Sequence, residues 1–508
     1  MTKSKCFSSW FVGSARALAL DAVSGIILYV TTALGAGRVW RFPFDDEIST
    51  LTYVQSAHSM SELAFAGHGF HPPLLFVYLR VLQSIGVSEA GMRACSLAMT
   101  AISLAIVQLL TLAIISRRTG KIVRPSIRLL AVLLFGLSPL AIGVGDAIRW
   151  YPLFALLVSA FLLLYVAGDD AKTRMASAVP LGLAASTNFI AAAVIAPFLF
   201  YQHILQRRLC LRFDALYWLV FAVFAGLAIP KAIALAFHQL PGIARAEFGQ
   251  SAWQAVASDT LGFFGGNVLG ISHAWFIIPM TLMAVYACFS AIDRKDPGSP
   301  AHLFILSIGT VALVALTGFG KPRSFLYVAP MVAAVLTLLF DRIANRSTAL
   351  ALFGAALAMA GPGATIANVN QNTRPFKRNL AVPFEQILDF IQINARGSTL
   401  VISSDPVIVW ELQRRPPGKD SCISYFVDNR DCFTDHRGYD SIIVVSGQSN
   451  RSRNVNYIRR VEATIASVTE GKRAIAKMHA GLDEDAALKT WLTHVPLDKF
   501  ILEVTLYD

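Results

Sequence analysis

The sequence predicts a mostly α-helical, polytopic membrane protein that carries a small α/β domain in its C-terminal part. Of its 508 residues, 55% are hydrophobic and only 15% are charged, whereas soluble domains carry about 25% charged residues. The mean hydropathy is +0.55. Long apolar runs recur along the chain, and a helix that crosses a bilayer needs about 20 mostly apolar residues.

The positive charge of the chain does not indicate a nucleic-acid partner. The net charge is +12, but the Lys and Arg residues form short clusters between the apolar runs. They do not follow one amphipathic face or an RNA-binding motif. The positive charge instead follows the distribution that the positive-inside rule requires of a membrane protein.

The apolar runs predict about 11 spanning helices with a cytoplasmic N-terminus. No small-residue cleavage site is evident before the first outer loop, so we expect the first span to be retained. The short fifth and sixth spans could instead be tilted, broken or a re-entrant pair. The predicted spans are 17–36, 94–116, 129–145, 150–167, 175–188, 190–205, 214–238, 268–291, 302–318, 324–340 and 349–367.

The run HPPLLFVYLRVLQSIG (71–86) is predicted not to span. One further crossing there would move the basic cluster at 117–128 to the outer side. Pro72 and Pro73 suit the first turn of a helix, so we expect a helix that lies on the outer surface. The first periplasmic loop then covers 37–93 within a membrane domain of residues 1–367.

Residues 368–508 are less apolar and predict a periplasmic α/β domain. Cys422 and Cys432 are the two cysteines of this domain. A disulfide between them would suit an oxidising periplasm, and two free thiols are the alternative. No zinc-type spacing occurs in the chain. The strand-like runs are STLVIS, CISYFV, YDSIIVVS and KFILEVTLYD, and the helical runs are PFEQILDFIQINA and EDAALKTWL.

Four motifs occur in order along the chain, namely FDDEISTL, HPPLLFVYLRVLQSIGVSEAGMRACS, IGVGDAIRWYPLFALL and KPRSFLYVAP. Together they resemble the bacterial dolichyl-phosphate-mannose protein mannosyltransferase-like (glycosyltransferase family 39-like) branch of the glycosyltransferase-C superfamily. The similarity covers roughly residues 20–335. The chain departs from the family pattern at Asp146-Ala147, where Gln-Glu is usual, at the additional Asp45, and at Asn188, where relatives often have a basic residue.

The resemblance implies an inner-membrane glycosyltransferase that uses a polyprenyl-phosphate sugar donor and a glycan, lipid or protein acceptor on the periplasmic face. Such a reaction needs a base for the acceptor hydroxyl and cations for the departing phosphate. We expect Asp46 to be the base, Glu47 to orient the acceptor or help hold a metal, and Asp45 to be a substitute. A solvated loop or the acidic first turn of a helix is the alternative. Adjacent carboxylates also suit Mg²⁺ or Mn²⁺, so metal dependence stays open.

Several cationic residues are candidates for binding the donor phosphate. Arg149 comes first, because a planar guanidinium can bind two phosphate oxygens; otherwise it is an interface anchor beside Trp150. Lys231 lies within a predicted span, where a lysine is costly unless it reaches the interface or a polar cavity. Asp146 and Tyr151 are assigned to the acceptor or to the loop. The remaining phosphate candidates are Arg93, Lys321, Arg323 and His71.

Two other functional classes remain open at this point. A transporter or flippase of lipid-linked sugars would be expected to show paired internal repeats and charges near the middle of the bilayer, and we find no such repeat in the sequence. A non-catalytic protein of envelope polysaccharide assembly would leave the acidic loop without a role. Membrane lipids are expected partners in every case.

Overall fold

A computed structural model describes the chain over 23–34, 45–66, 71–119, 130, 133–167, 171–192, 194, 211–234, 326–327, 329–345, 347–356, 383–425, 429, 431–434, 438–447, 455–480 and 502–508. The chain divides into two compact units. The membrane unit comprises Met1–Val39 and Thr52–Val369, and the α/β unit comprises Trp40–Leu51 and Asn370–Asp508. The acidic segment 45–47 thus groups with the C-terminal residues.

The described part of the membrane unit is helical. Helix α2 is shared, because its residues up to Leu51 group with the α/β unit. A 3₁₀ turn at Gly226–Ala228 separates α10 from α11. The helices are α1 (Val23–Leu34), α2 (Asp45–Ser56), α3 (Met60–Ala66), α4 (Leu74–Ser84), α5 (Glu89–Thr119), α6 (Pro139–Val144), α7 (Trp150–Ala167), α8 (Ala171–Ala176), α9 (Ala178–Ala185), α10 (Leu211–Ala225), α11 (Ile229–Ala234) and α12 (Ala329–Ala344), with further helical residues at 133–136 and 348–356.

Two helical stretches among the described residues are long and apolar enough to cross a membrane. They are Glu89–Thr111 and Ala215–Ile233. Shorter apolar helices include Val23–Leu34 and Trp150–Tyr165. The predicted spans 268–291 and 302–318 lie outside the described residues, so the count of about 11 spans stays a prediction.

Helix α4 occupies the run that was predicted to lie on the surface. It has 11 residues, or about 16 Å at the helical rise, which is about half the thickness of the hydrocarbon core. Pro73 stands at its N-cap. The helix ends before Gly86, whose φ of 80° is favourable only for a residue without a side chain.

Two of the predicted spans are interrupted in the structure. In the segment predicted to span at 129–145, Ser138 ends one helical turn and caps α6, and its hydroxyl accepts a hydrogen bond from the Ala141 amide at 3.1 Å. Pro139 follows at the first helical position, where its missing N–H costs nothing. The segment 175–188 is likewise divided at Ser177 between α8 and α9. The segment 175–188 is one of the two short spans for which the sequence left a broken helix open.

Polar contacts join the helices of the membrane unit near the end of α6. The Tyr29 hydroxyl donates to the Ala141 carbonyl at 3.2 Å, and the Thr100 hydroxyl donates to the Gly145 carbonyl at 2.8 Å. Both contacts lie at buried positions, where a hydrogen bond stabilises most because a lost partner is not replaced by water. They hold the segment that leads from α6 to α7.

The α/β unit is built on a five-stranded sheet in the order β2-β1-β3-β5-β4. Strand β1 is parallel to both β2 and β3, and β5 is antiparallel to β3 and β4. The strands are β1 (Thr399–Ser403), β2 (Ser421–Tyr425), β3 (Ser441–Gly447), β4 (Ala474–Ala480) and β5 (Leu502–Tyr507), and the helices are α13 (Phe384–Asn394), α14 (Pro406–Arg414), α15 (Asp431–Thr434) and α16 (Val455–Val468).

The core of the α/β unit is formed by α13, α14 and one face of the sheet. Ile387, Val401, Ile408 and Val504 are buried in it. Ile48 of helix α2 packs against the same cluster, which accounts for the grouping of 40–51 with this unit. Burying apolar side chains of this size contributes about 1.5–3 kcal/mol each.

On the other face of the sheet, Cys422 and Cys432 are joined by a disulfide. Cys432 is buried beside Leu400 and Ile442, and its carbonyl accepts a hydrogen bond from the Tyr439 hydroxyl at 2.8 Å. The disulfide therefore attaches the short helix α15 to the edge strand β2. Cys95 is free within the part of the chain that the structure describes.

Candidate functional site

A cluster of polar side chains from three distant segments meets at the start of helix α7. Nη2 of Arg149 lies 3.2 Å from Nε2 of His71. On the other side of the imidazole ring, Nδ2 of Asn188 lies 3.1 Å from Nδ1. His71 is separated from these partners by 78 and 117 positions in the sequence. The cluster therefore depends on the tertiary fold.

Asn188 is held by the turn that ends helix α9. Its backbone N–H bonds to the Ala184 carbonyl at 3.0 Å, and its side-chain oxygen accepts from the Ile190 N–H at 2.8 Å. Asn side chains commonly bond to the backbone two residues further on in such turns. The amide of Asn188 is therefore fixed in place and in orientation.

His71 is held by the beginning of helix α4. Pro72 and Pro73 are buried behind it, and the Leu74 N–H bonds to the Ser186 carbonyl at 3.0 Å. Ser186 in turn donates its hydroxyl to the Phe224 carbonyl of α10 at 2.8 Å. The start of α4 is thus attached to the same turn that carries Asn188.

Arg149 ends the segment that joins α6 to α7. This segment turns tightly, with the Gly145 N–H bonded to the Ala141 carbonyl at 3.0 Å and the Ala147 N–H bonded to the Val144 carbonyl at 3.1 Å. A Cβ atom at Gly145 would collide with the Ala141 carbonyl oxygen and with the Tyr29 hydroxyl. A glycine is therefore required where the segment approaches α1.

Aromatic rings form one side of the cluster. The Trp150 ring lies 6.2 Å from the His71 ring and 4.5 Å from the Tyr151 ring, measured between centroids. Phe154 continues the series at 5.5 Å from Trp150, and Tyr327 contacts Phe154 edge-on at 4.8 Å. Trp and Tyr are typical of the membrane–water interface. The cluster thus combines cationic and polar groups with a series of buried aromatic rings.

Comparison with solved structures identifies the fold. The apo structure of ArnT from Cupriavidus metallidurans is similar over 96% of this chain and 98% of that chain, with a TM-score of 0.53 and 14% identity. The structure of the same protein bound to undecaprenyl phosphate is similar over 95% and 97%, with a TM-score of 0.51 and 14% identity. This chain has the glycosyltransferase-C fold. No family model and no curated protein matches the sequence.

The mostly helical structure agrees with the polytopic membrane protein that the composition of the chain predicts. The resemblance that the four sequence motifs indicated is confirmed at the level of the superfamily fold. The oligosaccharyltransferase of Archaeoglobus fulgidus is also similar, over 78% of this chain and 62% of that chain, with a TM-score of 0.43 and 14% identity.

Within this glycosyltransferase-C fold, the structure brings two of the predicted phosphate ligands together, His71 and Arg149. Arg93 is buried elsewhere on α5, where its Nη2 lies 3.8 Å from a carboxylate oxygen of Glu89. Lys231 is buried on α11 and forms no ion pair with another described residue. Lys321 and Arg323 lie outside the described residues.

The acidic triplet lies in the first turn of helix α2 (Asp45–Ser56). Acidic residues in a first turn stabilise a helix through its dipole, so the capping alternative and the catalytic assignment are both compatible with this backbone. Glu47 is fully buried. The side chains of Asp45 and Asp46 lie outside the described residues, so their catalytic roles stay predictions. Asp146 is buried in the same segment as Arg149.

Two tyrosines near helix α4 have perturbed acidity. Burial, followed by the charge of Glu62, raises the pKa of Tyr53 above its ordinary value. Burial, followed by interaction with Cys95, raises the pKa of Tyr78. Both phenols are therefore protonated at neutral pH and act as hydrogen-bond donors or packing groups. The Tyr53 ring packs edge-on against Phe76 at 5.1 Å.

No group of three or more His, Cys, Asp or Glu side chains suited to a metal occurs within the described ranges.

Asn188 was singled out from the sequence only as a departure from the family pattern, and its contact with His71 was not predicted. A local signal existed in the sequence STN (186–188), because Ser, Thr and Asn after a short apolar helix favour a side-chain-bonded turn.

Proposed function

We propose that this chain is a glycosyltransferase of the inner membrane. It transfers a sugar from a polyprenyl-phosphate-linked donor to an envelope acceptor on the periplasmic face. The observation that carries the proposal is the His71–Arg149 pair at the beginning of α7, in a chain with the glycosyltransferase-C fold. The ArnT structure with bound undecaprenyl phosphate supports the choice of a lipid-phosphate donor.

The chemistry of the pair suits a phosphate. Arg149 supplies a permanent positive charge and a planar set of N–H donors that match phosphate oxygens. It lies directly before Trp150, the first residue of α7. The free N–H groups and the positive dipole end of a helix N-terminus favour an anion at that place. Trp150 and Tyr151 would contact the lipid close to its headgroup.

The proposed reaction exchanges one bond of the sugar for another. The acceptor oxygen forms a bond to the anomeric carbon while the bond from that carbon to the donor phosphate oxygen breaks. The electron pair of the broken bond leaves with the phosphate, whose charge Arg149 and His71 stabilise. The proton of the acceptor hydroxyl passes to the carboxylate of Asp46, which is the general base.

The other acidic residues have supporting roles in this proposal. Glu47 orients the acceptor hydroxyl, and Asp45 stands next to the base in the same helical turn. If a divalent cation takes part, Mg²⁺ or Mn²⁺ would be bound by oxygen ligands of this acidic turn. Comparison of transfer rates with and without EDTA decides whether a cation is required.

We further propose that the α/β unit faces the periplasm and contributes to acceptor choice. Its disulfide between Cys422 and Cys432 supports this location, because disulfides persist in oxidising compartments. Lipid A or core oligosaccharide, an envelope polysaccharide and a secreted protein are the candidate acceptors. A cysteine introduced next to Asp46 should react with a membrane-impermeant reagent added from the periplasmic side.

Two measurements test the proposed activity. In vesicles, wild-type protein supplied with polyprenyl-phosphate sugars should release free polyprenyl phosphate and produce a glycosylated acceptor, and Asp46→Asn should not. In cells that lack the gene, mass spectrometry of lipopolysaccharide, polysaccharide and membrane-protein glycans should show one missing sugar residue. Movement of the lipid-linked sugar across vesicles without any product would instead support a transporter.

A further inference from the structure

The donors and acceptors around His71 can be assigned by starting from the backbone N–H of Ile190. The two ends of an Asn amide are usually hard to distinguish, but a backbone N–H can only donate. The Ile190 N–H lies 2.8 Å from one side-chain atom of Asn188, so that atom must be the oxygen. The NH₂ group of Asn188 therefore faces Nδ1 of His71 at 3.1 Å.

This orientation decides which ring nitrogen of His71 carries the proton. The NH₂ group donates, so Nδ1 must accept. A neutral imidazole has one proton, which then resides on Nε2. Nε2 in turn lies 3.2 Å from Nη2 of Arg149, and a guanidinium has only donors. Two N–H groups, one from His71 and one from Arg149, therefore converge at this point.

The opposite assignment is less favourable. If Arg149 donated to Nε2, the ring proton would lie on Nδ1 and would point at the NH₂ group of Asn188. Rotation of that amide would remove this conflict, but it would place the NH₂ group against the Ile190 N–H. With the proton on Nε2, one oxygen atom can accept hydrogen bonds from Nε2 and Nη2 together. A phosphate oxygen can accept both bonds.

We infer that Asn188 is a positioning residue that keeps neutral His71 in the Nε2–H tautomer, so that His71 and Arg149 together donate to one oxygen of the donor phosphate. The role of the phosphate rests on the proposed function, whereas the tautomer assignment depends only on the contacts of Ile190, Asn188 and His71. Relatives often have a basic residue at the position of Asn188. In this chain the neutral amide of Asn188 instead sets the tautomer of His71.

A neutral donor has a physical advantage at this place. Arg149 already contributes a positive charge at 3.2 Å from the ring, and a second charge on an imidazolium would be repelled by it. The turn after α9 presents the uncharged Asn188 to the ring, and the segment before α7 carries the buried Asp146 as well as Arg149. Phosphate binding should therefore not require protonation of His71.

The variant Asn188→Asp tests the inference. A carboxylate still accepts from the Ile190 N–H but can only accept from Nδ1, so the neutral ring proton moves to Nδ1 and Nε2 becomes an acceptor for Arg149. The dissociation constant for undecaprenyl phosphate in nanodiscs should rise about tenfold or more at pH 8, as expected for the loss of a hydrogen bond to a charged group. The dissociation constant should fall back towards the wild-type value as the pH is lowered to 6, because an imidazolium carries a proton on both ring nitrogens.

A double variant separates the tautomer from simple charge repulsion by the new carboxylate. The amide nitrogen of glutamine can occupy the place of Nε2 and donate at every pH. In the double variant Asn188→Asp, His71→Gln, repulsion between the new carboxylate and the phosphate should still weaken the binding of undecaprenyl phosphate. The affinity should not recover at low pH, because the histidine is absent. Recovery of equal size in the double variant, or a pH-independent dissociation constant in Asn188→Asp alone, would overturn the inference.

Nitrogen NMR of ¹⁵N-histidine-labelled full-length protein gives a direct measurement of the tautomer. The His71 signals, identified by their loss in His71→Gln, should report Nε2–H in the wild type and Nδ1–H in Asn188→Asp at pH 8. An Nδ1–H tautomer in the wild type would refute the assignment. If undecaprenyl phosphate binds with the expected pH dependence but no sugar is transferred, the proposed function fails and the inference stands.

Discussion

The side-chain nitrogen of Asn188 lies 3.1 Å from Nδ1 of His71, across 117 positions of sequence. The contact connects the turn after α9 with the start of α4, which are also joined by the Leu74–Ser186 backbone hydrogen bond of 3.0 Å. The backbone hydrogen bond positions the segment that carries the imidazole, and the Asn188 side chain contacts one nitrogen of the ring. Arg149 then meets an already oriented ring, which is the condition for precise binding of a small anion.

Replacing Arg149 by lysine should weaken the binding of undecaprenyl phosphate. Lysine keeps the charge but loses the planar set of donors, which lies 3.2 Å from Nε2 of His71 and could share one phosphate oxygen with it. We expect the dissociation constant in nanodiscs to rise about tenfold to a hundredfold, the range for one hydrogen bond to a charged group. Turnover should fall with it.

Arg80→Lys is the matched control for this substitution. Arg80 lies half-buried on α4 and bonds to the Val54 carbonyl at 3.2 Å and to the Gln83 side chain at 3.1 Å. This variant should bind undecaprenyl phosphate as the wild type does. Equal dissociation constants for Arg149→Lys and the wild type would mean that Arg149 is only an interface anchor.

Asp46→Asn should separate chemistry from donor binding. The substitution removes the proposed base, and general-base catalysis contributes about 10²–10⁴-fold to a rate. We expect sugar transfer to fall by that amount while the dissociation constant for undecaprenyl phosphate changes less than about twofold, since the phosphate ligands are untouched. Single-turnover transfer and lipid binding should be measured on the same preparation.

Glu62→Gln is the control for Asp46→Asn, because it also removes a carboxylate, in the helix that follows α2. Glu62 is exposed on α3, and its carboxylate accepts from the His58 N–H at 2.8 Å. Transfer should be retained in this variant. A loss of lipid binding in Asp46→Asn equal to its loss of transfer would show that Asp46 helps to hold the donor and is not the base.

The strands of the α/β unit show which elements can be predicted from sequence. β1 and β3 are runs of β-branched residues that are buried on both faces, and such runs indicate strands by composition. β4 was not predicted, because AIAKMHA includes Lys477 and His479 and lies at the sheet edge with mostly exposed residues. Its pairing with β5 is also irregular between Ala474 and Ala476.

The candidate site was only partly predictable. Arg149 and His71 were selected because their motifs resemble a family pattern, and their proximity could not be derived from either motif. It depends on hydrogen bonds such as Thr100 to Gly145 and Leu74 to Ser186, which join residues far apart in the sequence. The interruption at Ser138-Pro139, in contrast, has a local cause, since the residue before a proline avoids the helical conformation.

The disulfide between Cys422 and Cys432 should stabilise the α/β unit against unfolding. It closes a loop across 10 positions, for which loop-closure entropy gives about 2–3 kcal/mol. Reduction of the full-length wild-type protein should therefore speed proteolytic cleavage within residues 383–508. The double variant Cys422→Ser, Cys432→Ser should show the same increase without reductant.

Cys95→Ser is the control for the cysteine substitutions, because Cys95 is a free cysteine in α5 of the membrane unit. Its cleavage pattern should match that of the wild type, and reductant should accelerate it equally. If reductant leaves the wild-type cleavage rate unchanged, the disulfide contributes nothing measurable to the stability of this unit.

Gly145→Ala should disturb the site from a distance. A methyl group at this position would collide with the Ala141 carbonyl oxygen and the Tyr29 hydroxyl, and the Thr100 methyl is 3.1 Å away. Overpacking of this kind costs about 1–3 kcal/mol. The segment that carries Arg149 must shift, so the dissociation constant for undecaprenyl phosphate should rise about tenfold, and thermal unfolding should begin at a lower temperature.

Gly226→Ala offers a matched substitution, because a methyl group there would meet no atom within 4 Å. This variant should keep both the affinity and the unfolding temperature of the wild type. Adding Tyr29→Phe to Gly145→Ala removes the collision with the hydroxyl but leaves the collision with the Ala141 carbonyl, so affinity should be restored only in part. Wild-type affinity in Gly145→Ala would show that the segment adapts without moving Arg149, and the position of the guanidinium would then not depend on this glycine.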